Sequence, residues 1–77
     1  MIIGVDMGAS AIKVCALEDG MVTATHYEHG RGGDVPALLE RAGFKAEKAE
    51  LIALTGLSAK NSGLEGLGRP VKYIPEP

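Results

Sequence analysis

The pattern of apolar and polar positions predicts several short strands and one longer helix. Residues 1–5 form an uninterrupted apolar run, which is typical of a buried strand. In residues 11–18, Ile12, Val14 and Ala16 alternate with a second set that contains polar side chains. This period of two predicts a strand with one buried face.

A hairpin signal follows this second strand. Asp19-Gly20 is a strong tight-turn dipeptide, because glycine takes positive φ without steric cost. Residues 21–26 are rich in β-forming side chains and are predicted to pair back on the preceding strand. Because the small residues 6–10 suit a turn, the first third predicts a three-stranded antiparallel meander.

A helix is predicted after the glycine-rich residues 30–33. Asp34 suits the N-cap, and Pro36 falls in the first turn, where its missing N–H is harmless. Four apolar side chains then share one helical face: Val35, Leu38, Leu39 and Ala42. Gly43 is placed to end the helix.

The remainder predicts two further strands. Polar residues 45–50 indicate a loop or one helical turn, and residues 51–54 form another short apolar run. A short helix is predicted around Leu64–Leu67, and residues 71–74 alternate as a last strand. The order β-β-β-α-β-(short α)-β predicts an α/β fold with a mixed sheet, whose first three strands are antiparallel.

Composition excludes several classes of function. The 77 residues suffice for one small domain or part of a larger one. A net charge of −2 without a basic cluster argues against nucleic acid as a partner. The lone Cys15 cannot form an internal disulfide, which suits a reducing compartment. No apolar stretch approaches a membrane span, so the expected location is the cytoplasm.

The main chemical signal is Asp6-x-Gly8-x-x-x-x-Lys13 across the first hairpin. Gly8 leaves room for a phosphate near the backbone, and Ser10 adds a hydroxyl donor. Lys13 can place its ammonium against the β/γ-phosphates. Asp6 can orient Mg²⁺ through the water shell of the ion. The alternative interpretation is an ordinary turn, because Asp and Gly are common in any strand–turn–strand.

The segment Ile-Gly-Val-Asp-Met-Gly-Ala-Ser-Ala-Ile-Lys, residues 3–13, resembles the first phosphate motif of the actin/hexokinase/Hsp70 ATPase superfamily. The predicted element order is similar to the ribonuclease-H-like subdomain of that superfamily. The resemblance implies that residues 1–77 form one N-terminal ATPase subdomain, which is part of a full two-subdomain ATPase. It implies ATP and Mg²⁺ as ligands, with Ala9 joining the phosphate loop.

Two groups within the superfamily resemble the chain further, through the turn Leu54-Thr55-Gly56. The closer group comprises the ATPases that activate 2-hydroxyacyl-CoA dehydratases and benzoyl-CoA reductases, with D-x-G-S-T-x-x-K and a later T-G-Y-G-R-N. The other is type II pantothenate kinase, with D-A-G-G-T-x-x-K and L-T-G-G-N-A. Ala9-Ser10 replaces Ser-Thr of the first group and Gly-Thr of the second. Thr55 and Gly56 follow a predicted parallel strand, and open α/β sheets place ligands at the carboxyl ends of such strands, so both are candidate nucleotide-binding residues. The alternative interpretation is a plain strand-ending turn.

The resemblance to the activators implies that ATP hydrolysis drives electron transfer to a CoA-ester dehydratase or reductase. Full-length activators hold a [4Fe–4S] cluster between two subunits, but Cys15 does not match their cluster ligands. Glu76 stands where both groups carry a glutamate. It would orient water in an activator and act as the base in a kinase, or it is simply a solvated carboxylate.

Three interpretations therefore stay open. They are an activator-type ATPase fragment, part of a pantothenate-type small-molecule kinase, and a non-catalytic half-domain that acts as an interaction module through the residue 71–74 edge. In this superfamily ATP lies between two subdomains, so a C-terminal ATPase subdomain or a partner chain is expected, with a homodimer possible. We expect weak ATP binding and no meaningful turnover from the 77 residues alone.

Overall fold

The computed structural model of the chain describes residues 1–8, 10–30, 34–56 and 70–74. The helix predicted around Leu64–Leu67 lies outside these ranges.

The described residues form five strands, one α-helix and one 3₁₀ turn. In chain order these are β1 (Ile2–Met7), β2 (Ala11–Glu18), β3 (Met21–His29), α1 (Val35–Arg41), the 3₁₀ turn (Ala46–Lys48), β4 (Leu51–Gly56) and β5 (Val71–Tyr73). Three strands are longer than predicted. Asp6 and Met7 continue β1 instead of starting a turn, β3 runs on to His29, and Thr55-Gly56 belongs to β4.

The strands form a single mixed sheet in the order β3-β2-β1-β4-β5. β1 pairs antiparallel with β2, and β2 pairs antiparallel with β3. β4 lies parallel to β1 on its other side, and β5 lies parallel to β4. The predicted α/β fold with a mixed sheet and three leading antiparallel strands is confirmed.

The hydrophobic core lies on one face of this sheet, with α1 contributing to it. Alternate residues of β1, β2 and β4 are buried there together with the apolar side of the helix: Ile3, Val5, Met7, Ile12, Val14, Ala16, Ile52, Leu54, Val35, Leu38 and Leu39. The predicted buried face of β2 and the predicted apolar face of the helix are confirmed. The intervening residues of β1 and β4 are half-buried. We call their side of the sheet the open face.

The ends of α1 follow from its predicted capping residues. Asp34 Oδ1 accepts a hydrogen bond from the Ala37 N–H at 3.1 Å, as an N-cap side chain does. Beyond the C-terminal end, Gly43 has φ of +86°. The Arg41 guanidinium donates to both carboxylate oxygens of Glu28 on β3, at 2.9 and 2.8 Å. This bidentate pair fastens the end of the helix to the outer strand of the meander.

Candidate functional site

The strand register gathers polar side chains into one row across the open face. Asp6 of β1 is paired with Lys13 of β2 on one side and with Thr55 of β4 on the other. Lys13 is in turn paired with Tyr27 of β3. Because directly paired residues project from the same side of a sheet, these four side chains form a continuous row. We call it the polar row.

A shallow cavity of about 550 Å³ covers the open face around this row. Its lining includes all four members of the polar row and the next row of paired residues, Gly4, Cys15 and Ala53. Those three side chains are small or absent, so the middle of the sheet leaves room for a ligand. Cys15 is half-buried there.

Lys13 and Asp6 are neighbours in the polar row. Lys13 is exposed, and Asp6 is half-buried beside it. The ion pairs found among the described residues join Met1 to Glu50, His26 to Glu28, and Arg41 to Glu28. None of them connects Lys13 with Asp6. Because the Lys13 ammonium and the Asp6 carboxylate are not paired with each other, the ammonium can contact an anionic ligand while the carboxylate contacts a metal ion bound to that ligand.

The turn after β1 brings backbone atoms to one end of the polar row. The Gly8 N–H donates to the Ala11 carbonyl at 2.9 Å, so this N–H is used inside the protein. A Cβ at Gly8 would lie 3.1 Å from the same oxygen. The close packing of the turn therefore favours glycine at this position, whether or not a ligand binds. Ser10 is exposed, and its hydroxyl is at the surface of the turn. The Gly8 N–H is therefore engaged within the turn, whereas the predicted hydroxyl donor belongs to the exposed Ser10.

Gly56 brings the end of β4 against the end of β1. Its φ is +109°, and a Cβ there would overlap the carbonyl group of Met7 and approach its N to 2.8 Å. Only glycine permits this close approach. It holds Thr55 beside Asp6, so Gly56 contributes to the site through the backbone.

Two predicted site residues, Ala9 and Glu76, lie outside the described ranges, so their roles stay predictions. The structure adds Tyr27 and Thr25, which line the cavity from β3 and were not predicted as site residues. The hairpin at Asp19-Gly20 could not have found them, because its register alone would set His26 opposite Lys13. The register shift between Ala16 and Leu17 brings Tyr27 to that position instead.

The remaining ionisable groups do not form a metal centre in the part of the chain that the structure describes. No group of three His, Cys, Asp or Glu side chains converges there. His26 instead contacts Glu28 at 3.1 Å on the core side of β3, and His29 packs edge-on against Tyr27. Within the same ranges, no helix is long and apolar enough to cross a membrane.

Comparison with known proteins identifies the fold. No family model matches the chain, and no curated protein matches it in sequence. The chain has the actin-like ATPase fold, as two solved structures show. One is the activator of the 2-hydroxyisocaproyl-CoA dehydratase from Clostridium difficile with bound ADPNP, at 21% identity and a TM-score of 0.71 over 96% of this chain. The other is YeaZ from Pseudomonas aeruginosa, at 22% identity and a TM-score of 0.61 over 97% of this chain.

The predicted superfamily resemblance is thus confirmed at the level of the fold. The chain spans 28% of the activator and 43% of YeaZ. It is therefore similar to less than half of either protein.

The close approach at Gly56 is testable by adding one methyl group. Gly56→Ala should destabilise the chain by more than about 2 kcal/mol, because backbone overlap adds to the strain of a positive φ. Gly20→Ala is the matched control, since Gly20 also has positive φ (+77°) but nothing within 4 Å of its added Cβ. It should cost only about 1 kcal/mol. Urea denaturation followed by circular dichroism measures both, and equal losses would contradict the close approach.

Proposed function

We propose that the chain is the phosphate-binding part of the nucleotide site of an actin-like ATPase. The observation that carries the proposal is the polar row, in which the register sets Lys13 and Thr55 on either side of Asp6. The row lies on the open face, against a cavity whose floor is made of small residues. The fold shared with the dehydratase activator gives further support.

Each member of the proposed site has a chemical role. The Lys13 ammonium neutralises charge on the β- and γ-phosphates, and the hydroxyls of Ser10 and Thr55 donate to phosphate oxygens. Asp6 fits a hydrated Mg²⁺, because this ion is held in proteins by one or two carboxylates together with phosphates and waters. Bound Mg²⁺ would supply charge neutralisation between phosphates. Ala9 completes the loop in this proposal, and Glu76 orients the water that attacks the γ-phosphorus.

The described residues form only one side of the proposed nucleotide site, so further residues must contact the nucleotide from the opposite side. A few charge-assisted hydrogen bonds, each worth about 1.5–3 kcal/mol before ordering costs, give weak binding. We propose that residues outside the 77 supply the adenine pocket and the opposing phosphate contacts, either in the same protein or in a partner chain. By itself this part binds ATP weakly and does not turn it over at a meaningful rate.

The finer assignment is to an activator-type ATPase, which couples ATP hydrolysis to electron transfer into a CoA-ester dehydratase or reductase. It is supported by the likeness in fold to the Clostridium difficile activator, a protein whose structure holds ADPNP. The chain does not itself fit an iron–sulfur cluster, because such clusters take four thiolates and the sequence has one cysteine.

The finer assignment is tested by reading the coding sequence that flanks these 77 codons in the same reading frame. A second phosphate hairpin with paired cysteines would support the activator, since two subunits with two thiolates each can hold one cluster. A second hairpin followed by an acceptor pocket without paired cysteines would contradict it in favour of the small-molecule kinase.

The phosphate site is tested by titrating Mg-ATP into the isotope-labelled chain and following amide chemical shifts by NMR. Shifts should concentrate at Gly8, Ser10, Lys13 and Thr55, with a dissociation constant in the millimolar range. Lys13→Ala should weaken binding about tenfold, because one charge-assisted contact to phosphate is lost.

Lys72→Ala is the matched control for this experiment. Lys72 is exposed and pairs with Ala53, so it shares the open face but lies one row away from Asp6. Its removal should leave the dissociation constant unchanged. Equal weakening by both substitutions would indicate general charge attraction and contradict the site. Absence of any shift at saturating Mg-ATP would favour the interaction module.

The role of Asp6 is tested by its dependence on magnesium. Asp6→Asn should leave the weak affinity for metal-free ATP unchanged or slightly improved, because a negative charge near the phosphates is removed. The gain in affinity that Mg²⁺ brings to the unsubstituted chain should disappear. The same NMR titration with and without Mg²⁺ measures this, and a persisting magnesium effect would show that Asp6 does not serve the ion.

A further inference from the structure

In the part of the chain that the structure describes, β3 forms one edge of the sheet, and its own sequence has few of the features that block pairing with another strand. It is the first strand in the order β3-β2-β1-β4-β5, so β2 covers one side of its backbone. Natural edge strands are commonly blunted by lysine, proline or short length. β3 is nine residues long and contains neither residue. Met21, Val22 and Tyr27 on this strand are exposed by 70%, 58% and 54%.

One hydrogen bond fixes which backbone groups of β3 face outward. The Gly30 N–H donates to the Ser10 carbonyl at 2.8 Å. This bond flanks the pair Ala11–His29, and in an antiparallel ladder such a flanking bond marks a pair that is not itself hydrogen-bonded. The N–H and C=O groups of His29 therefore face away from β2.

Hydrogen-bonded and non-hydrogen-bonded pairs alternate along the same ladder. Residues 24, 26 and 28 consequently bond to β2, while the backbone groups of Thr25, Tyr27 and His29 face the outer edge. A register shift interrupts this alternation, because Ala24 pairs with Ala16 but Val22 pairs with Leu17. The outward-facing backbone groups are therefore regularly spaced over residues 24–30, and Tyr27 is the midpoint of this segment.

We propose that a second copy of this chain pairs antiparallel with β3, about a two-fold axis at Tyr27. Tyr27 then lies opposite Tyr27 of the second copy, and Thr25 lies opposite His29 in both directions. Three pairs with two bonds each give six new backbone hydrogen bonds. The two sheets become one continuous sheet, in which the polar rows of the two copies meet at the tyrosines.

The polar side chains of β3 are complementary in this register. His26 of one copy lies opposite Glu28 of the other, on the side of the sheet that carries α1. The Glu28 carboxylate already accepts from Arg41 and contacts His26 within its own chain. The imidazole N–H of a second histidine can donate to the same carboxylate. No like charges lie opposite each other, and like charges in that position would destabilise the paired strands.

The pairing does not rest on nucleotide binding, since it uses backbone groups of β3 and leaves Lys13, Asp6 and Thr55 untouched.

Sedimentation equilibrium on the 77-residue chain tests the proposed pairing. The mass should rise from 8.0 kDa to twice that value as protein concentration increases from low micromolar towards millimolar. Tyr27→Lys and Tyr27→Glu should each weaken self-association roughly tenfold or more, because each sets like charges directly opposite.

Mixing these two variants should restore association as a heterodimer, because lysine then faces glutamate across the axis. The same rescue shows that both variants still fold. Val22→Lys is the matched control: Val22 is exposed on the same strand but lies beyond the register shift, so association should not change. A monomer at every concentration, a dimer indifferent to Tyr27→Lys, no rescue on mixing, or equal loss with Val22→Lys would each overturn the proposal.

Discussion

The pairing of β1 with a neighbour on each side is the constraint on which the fold and the site both depend. β1 bonds antiparallel to β2 and parallel to β4, and each of its residues from Ile2 to Met7 has a partner in both strands. Its odd-numbered residues Ile3, Val5 and Met7 are buried in the core, while Asp6 faces the cavity. A shift of one residue in either ladder would bury Asp6 and expose the core residues.

Much of this arrangement could be predicted from local sequence. The alternation in β2 identified the buried Ile12 and Val14, and so set Lys13 on the other face. The Asp34 N-cap has a local chemical signature, and the structure bears it out with the bond to Ala37. These features depend on neighbours within a few residues, which is the range over which a sequence pattern carries direct information.

Other features depend on long-range pairing, and sequence patterns carry little information about them. Asp6 was predicted to lie in a turn because residues 6–10 are rich in small side chains, whereas it is the open-face member of an alternating strand. The extension of β3 to His29 is held by the ladder with β2 and by the Glu28–Arg41 pair, whose residues are 13 positions apart. The use of the Gly8 N–H by Ala11, and the contact of Gly56 with Met7, likewise become visible only when strands are adjacent.

The two faces of the sheet differ in burial, which separates the residues of the core from those of the candidate site. Residues that hold the fold together are buried on the α1 side, whereas Lys13 and Tyr27 are exposed on the other. Because exposed substitutions away from packing usually change stability by less than about 0.5 kcal/mol, a loss of binding at Lys13 can be attributed to the site. Gly56 is different, since its backbone contact with β1 serves stability and also holds Thr55 beside Asp6. At that position the geometry of the candidate site cannot be changed without straining the sheet that carries it.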